Sequence, residues 1–247
     1  MSEQPSPGDA AESRATDRHP ASGTPRFTGF DVLDQSGSWD RQTAATVLRR
    51  VGTPAPVRFF TVAEEAVARP LLNLLVGQED DARVPVVEMV DTRLAEGTTD
   101  GWRYEDLPED GDAFKATLAA LDRDAELRYG MGFARCRRLQ QVTLIQGVQD
   151  AGSSHWHGWP ADRVWSLWTR YACTAFYAHP SAWSEIGFGG PAYPRGYKNR
   201  GVGRREPWEV ADSRPTLPDH RPSQRSSGGR TSGGQPGPDD TPSGSRP

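Results

Sequence analysis

Three of the chain's five histidines could do chemistry together: His155 and His157 in the run SSHWHGWP, and His179 further on. Neutral imidazoles suit Zn, Fe or Cu, and Cys173 or Cys136 could complete a ligand set. No second H-x-H and no C-x-x-C is present to define a tetrahedral site, so the three are read as structural or surface histidines. The alternative is a stand-alone metal-dependent enzyme using His155, His157 and His179. Glu185 near His179 is an acid–base pair on sequence proximity alone. Gly187-Phe188-Gly189-Gly190-Pro191 lacks the G-x-x-x-x-G-K-[ST] run of a phosphate loop. No strand precedes it, and Pro191, Pro194 and Gly196 prevent a helix after it, so it is read as a turn in which glycine supplies positive φ. No G-x-S-x-G elbow occurs. Cys136 and Cys173 each fall in an expected helix and are read as buried free thiols.

Composition narrows the classes further. Two cysteines exclude a disulfide-dense scaffold and a four-cysteine zinc site, and the lack of C-x-x-C-H excludes covalent haem attachment. No run approaches the roughly 18 apolar residues of a membrane span. Lys+Arg number 29 against 33 Asp+Glu, a net charge of −4, which gives no reason to expect nucleic acid. All but two of the basic residues are Arg, and only two residues are Asn, the pattern of a GC-rich genome rather than of anion-binding design. Charge is patterned along the chain: residues 79–127 carry 15 acids and 5 bases, residues 128–138 four Arg and no acid, and residues 191–208 five bases and one acid. The acidic stretch reads first as solvated helix faces; the sharper reading is a polarised surface that orients a partner.

The elements that must position these residues are helical. Ser38 or Asp40 can cap a helix ending at Leu48. Thr61-Val62-Ala63-Glu64 fits a capping box, with Pro70 as an expected kink in the helix it opens. Pro85 suits a first helical position ahead of Val86, Val90 and Leu94, with Gly97 as the stop. Phe114, Leu118, Leu121 and Ala125 form an apolar stripe. Residues 133–146 and 160–177 read as two more helices, the latter with Val164, Trp168, Tyr171 and Ala175 on one face. No strong strand alternation appears. The fold expected is mainly α: one domain of five or more helices, ending in a long aromatic loop rich in Gly and Pro.

The domain bounds follow from the aromatics. All 22 lie between residues 27 and 208. Ends without large apolar side chains cannot offset the entropy of ordering their backbone, so residues 1–26 and 209–247 are expected to be disordered tails. Acidic residues interrupt the N-terminal end, which therefore reads as no secretory signal, and no apolar run follows Arg49–Arg50 to make a twin-arginine signal. That pair is read as a helix end. The stretch 179–208 is unusual: Gly and Pro preclude a long helix, yet it carries Trp183, Phe188, Tyr193, Tyr197 and Trp208. A long aromatic loop of this kind is expected to pack on its own domain or on a partner.

Phe176-Tyr177-Ala178-His179-Pro180, then Trp183-x-Glu185-Ile186-Gly187-Phe188-Gly189-Gly190-Pro191-Ala192-Tyr193-Pro194-Arg195-Gly196-Tyr197, resembles the C-terminal motif of the gluconate 2-dehydrogenase subunit 3 family. Phe59-Phe60, Val84-Pro85-Val86 with Val90-Asp91, and Tyr129-Gly130-x-Gly132-Phe133 are similar to the same family, and the resemblance covers about residues 57–200. It implies a small non-catalytic subunit, with no cofactor of its own, that accompanies a large glucose–methanol–choline-type flavoprotein. That partner holds FAD and oxidises a sugar, polyol or alcohol, often with a cytochrome c subunit. The small subunit supports its folding, stability or export. Trp183, Ile186, Phe188, Pro191, Tyr193, Pro194, Arg195 and Tyr197 are the residues expected to face the partner, since Tyr, Trp and Arg most often anchor interfaces. Many family members carry a twin-arginine signal. The polar N-terminal tail here leads to the expectation of a cytoplasmic complex, or of export directed by another subunit.

Overall fold

The structure is a computed structural model that describes residues 27, 29–78, 82–198 and 204–210. These residues belong to one compact unit. The expected disordered tails lie outside the described residues, except for Glu209 and Val210.

The described residues are mainly helical: α1 (Arg41–Leu48), α2 (Val62–Leu75), α3 (Val86–Ala95), α4 (Asp110–Tyr129), α5 (Arg138–Asp150), α6 (Ala161–Tyr177) and α7 (Pro180–Ile186). Between α5 and α6 a two-stranded antiparallel hairpin, β1 (His155–Trp156) and β2 (Trp159–Pro160), pairs Trp156 with Trp159. No helix among the described residues is long and apolar enough to cross a membrane.

Local chemistry sets most of the boundaries. Asp40 caps α1 by accepting the Thr43 N–H at 3.0 Å. Thr61 and Glu64 form the expected capping box on α2, which continues through Pro70 to Leu75. Pro85 stands one position before the expected one, as the residue capping α3. Gly130, at φ 70°, ends α4 in the left-handed conformation that glycine adopts without a Cβ clash.

The helix expected over 133–146 is divided. Phe133–Arg135 is a 3₁₀ turn, Cys136 and Arg137 are extended, and α5 starts at Arg138. Side chains compete there for the backbone: Asp122 accepts the Phe133 N–H at 2.6 Å, Gln140 accepts the Arg137 N–H at 2.8 Å, and Gln141 donates to the Phe133 carbonyl at 3.0 Å. Cys136 is therefore outside any helix, and buried as expected. Cys173 lies in α6 but is exposed, contrary to the expectation of two buried thiols; both are free.

α2 and α6 are the central pair, with α3, α4 and α5 packed around them. The core between them is built from Leu71, Leu72, Phe114, Leu118, Phe133 and Trp168, all essentially fully buried. Trp168 keeps its indole N–H satisfied by donating to Thr117 Oγ1 at 3.0 Å. A second, smaller cluster joins Val32, Trp39 and Val47 to Trp183 of α7.

Candidate partner interface

The stretch expected to be one long loop begins with a helix. His179 caps α7 by accepting the Ser181 N–H on Nδ1 at 3.2 Å, Pro180 occupies its first turn, and Gly187 ends it at φ 73°. Proline at a helix start needs no N–H partner, which is why a Pro-containing run still forms a helix here.

Trp183 points inward. It is 7% exposed, donates Nε1–H to the Tyr177 carbonyl at 2.6 Å, and lies 5.8 Å from the Arg50 guanidinium. It anchors α7 to the chain's own N-terminal segment, whereas the sequence reading placed it among the partner-facing residues. Ser184 reinforces the join by accepting the Val32 N–H at 3.1 Å.

Arg195 is likewise turned inward. Its guanidinium donates to Gln35 Oε1 and to the carbonyls of Gly189 and Pro191, each at 3.2 Å, and lies 4.1 Å from the Trp208 ring centroid. Burial lowers its pKa from the ordinary arginine value. Two glycines make the close approach possible. A Cβ on Gly189 would come within 2.8 Å of Trp208, and one on Gly190, at φ 75°, within 2.7 Å of Trp39.

With those braces in place, the loop turns Ile186, Phe188, Tyr193, Pro194 and Tyr197 outward. Tyr193 is 66% exposed. Phe188 rests edge-on against Trp183 at 5.6 Å, so its exposed side is presented from a fixed base. Pro191 is half-buried. Beside Phe188, a cleft of about 350 Å³ is lined by Arg204, Arg205, Glu209 and Val210. Isolated apolar side chains on a surface are ordinary; here one braced loop leaves several aromatics exposed.

The histidines serve separate elements. His155 is exposed in β1. His157, at φ 48°, pairs through Nε2 with Asp124 Oδ1 at 2.7 Å, while Trp156 donates to Asp124 Oδ2 at 2.8 Å. One carboxylate of α4 thus pins the hairpin. His179 is buried as a cap, and burial lowers its pKa, outweighing the opposing hydrogen bond with the Arg50 backbone; the charge of Arg50 adds a smaller lowering effect. Among the described residues no group of three or more His, Cys, Asp or Glu could hold a metal ion. Glu185 is exposed on α7.

Asp91 and Tyr171, named in the sequence only within a motif and an apolar face, are buried polar groups that brace the fold. Asp91 is fully buried, and its carboxylate accepts the N–H groups of Arg58, Phe59 and Phe60 at 2.8, 2.9 and 2.9 Å. An Asp in the apolar stripe of α3, four residues after Val87, was the available signal. Tyr171 donates to Asp110 at 2.7 Å, and burial, aided by that bond, pushes its pKa up. Asp110 also receives Arg170, which together with Arg93 pairs with Asp100. Burial alone would raise the Asp100 pKa, but the two arginines outweigh it and hold the group below its usual value. These groups tie α3, α4 and α6 together.

The family model described as Gluconate 2-dehydrogenase subunit 3 matches residues 63–190, from the first turn of α2 to the glycine that packs on Trp39. Comparison with curated proteins and with solved structures gives no match.

Proposed function

The chain belongs to the gluconate 2-dehydrogenase subunit 3 family, and on that premise we propose that it is a non-catalytic small subunit which binds and stabilises a glucose–methanol–choline-type FAD-dependent sugar, polyol or alcohol dehydrogenase. The family's name describes a subunit of a dehydrogenase complex, which supports association with other subunits. The large subunit would hold FAD, and a cytochrome c subunit would complete the complex.

The observation that carries the proposal is the braced C-terminal loop. Arg195 and Trp183 are committed to holding it, while Ile186, Phe188, Tyr193 and Tyr197 are left outward. Ordering a loop costs conformational entropy, and a loop already ordered in the free chain brings less of that cost to the complex. Aromatic side chains add large contact area with few rotatable bonds.

Co-expression with a flavoprotein of this type encoded alongside the chain tests the proposal. Co-purification, with higher flavin content and a higher melting temperature of the large subunit, is expected. A flavoprotein that never co-purifies with the chain, and that is fully active and equally stable alone, overturns it.

A further inference from the structure

The charge pattern of the sequence takes an unequal form in the structure. Much of the acidic stretch is engaged internally: Asp91 with backbone N–H groups, Asp100 with Arg93 and Arg170, Glu109 with Arg103, and Asp124 with the hairpin. The arginines around those helices are correspondingly paired, as in Arg58–Glu96 and Arg69–Glu88, both at 2.9 Å.

The basic stretch is different. Arg128, Arg135 and Arg137 are exposed, and none has a carboxylate partner among the described residues. They occupy the corner between the end of α4 and the start of α5. The same corner exposes Leu127 at 75% and Leu139 at 77%, with Val142 one turn further along α5. Leu139 and Val142 share a face opposite the buried Gln141, Leu144 and Ile145.

The corner is held rigidly. Gly130 closes α4, the buried Phe133 plugs the turn, and Asp122 and Gln141 bind its backbone on both sides. The arginine positions are therefore fixed relative to one another. Planar, bidentate donors carried on a fixed backbone suit an array of carboxylates on a folded protein. The chain carries a net charge of −4, so it presents no broad cationic field for a lipid surface or a nucleic acid.

We propose that the α4–α5 corner is a second docking surface, which seats a carboxylate-bearing segment of the flavoprotein partner with apolar side chains placed against Leu127 and Leu139. This rests on the reading of the chain as an accessory subunit. Charge complementarity supplies its orientation, and the two leucines supply apolar contact beside the charges.

The test uses the full chain and the co-expressed flavoprotein. Arg135→Glu/Arg137→Glu and Leu139→Ser are compared with wild type for affinity at low and high salt, and for unfolding midpoint. All three substituted side chains are exposed, so the midpoints are expected to stay unchanged. The charge reversal is expected to weaken the complex by about tenfold or more at low salt, with a smaller effect at high salt. Leu139→Ser is expected to weaken it severalfold at both. Unchanged affinity in both variants overturns the corner alone. Failure of the wild-type chain to bind the flavoprotein overturns the accessory reading, and the corner with it. Binding to phosphatidylglycerol vesicles that the charge reversal abolishes, with the flavoprotein complex unaffected, assigns the corner to lipid and also overturns the proposal.

Discussion

The guanidinium of Arg195 lies 4.1 Å from the Trp208 ring centroid, and through this contact the last described segment closes over the Gly/Pro-rich loop. Arg195 also donates to the Gly189 and Pro191 carbonyls and to Gln35 Oε1, so one side chain ties three stretches of the chain. A cation over an aromatic ring is worth about 0.5–2 kcal/mol, rising as the pair is desolvated.

Arg195→Ala is therefore expected to release the loop while leaving the helices in place. Limited proteolysis should cut the variant within residues 187–198 faster than wild type, while its helical circular dichroism stays the same. Equal cleavage rates would show that the loop is held by other contacts.

Trp183 and Tyr193 separate stability from binding. Trp183→Ala removes a buried ring from the smaller cluster and is expected to cost about 3–5 kcal/mol in denaturant unfolding. Tyr193→Ala removes an exposed ring and should leave unfolding unaltered, while weakening the complex by about 2 kcal/mol. A stable, fully folded Trp183→Ala protein would count against its anchoring role.

Asp91 holds the turn before α2 through three backbone N–H groups. Asp91→Ala leaves those donors without their acceptor and is expected to destabilise the fold by about 3 kcal/mol. Hydrogen exchange should localise the change, with protection lost first at Phe59 and Phe60. Retained protection there would mean that water or a neighbour replaces the carboxylate.

His179 predicts a pH dependence. Burial lowers its pKa in the folded chain below the ordinary value of 6.5. Above pH 6.5 both states carry the neutral ring, and the contribution is fully present. Below it the unfolded chain takes up a proton that the folded chain does not, so stability falls as the medium becomes more acidic. His179→Asn keeps a helix cap and removes the titration. Its melting temperature should therefore fall less than that of wild type on acidification from neutral pH, and parallel curves would exclude the histidine as the source.

Periodicity alone was enough to place the main helices. The stripes ending in Ala125 and Ala175 are buried as expected, because a 3.6-residue repeat can bury one face in only one way. Capping chemistry at Thr61 was equally local, since donor and acceptor lie three residues apart. The break at Cys136 was not legible. It depends on Asp122 and Gln141 reaching the Phe133 backbone from two helices, and residues 133–138 contain no Gly or Pro to announce it.

The sequence by itself determined a mainly helical domain, its family, and the presence of an aromatic loop, because composition, spacing and motif are properties of neighbouring residues. Only the tertiary structure decided which aromatics face outward. Trp183 and Tyr193 look alike as candidates in the sequence, but Trp183 is buried against Val32 and Trp39, whereas Tyr193 is exposed. The same holds for charge. The acidic stretch is largely engaged by arginines, backbone and hairpin brought to it from distant positions, whereas Arg128, Arg135 and Arg137 of the α4–α5 corner have no carboxylate partner among the described residues. Burial and pairing depend on what folding brings within a few ångströms, and residue order alone does not contain that distance.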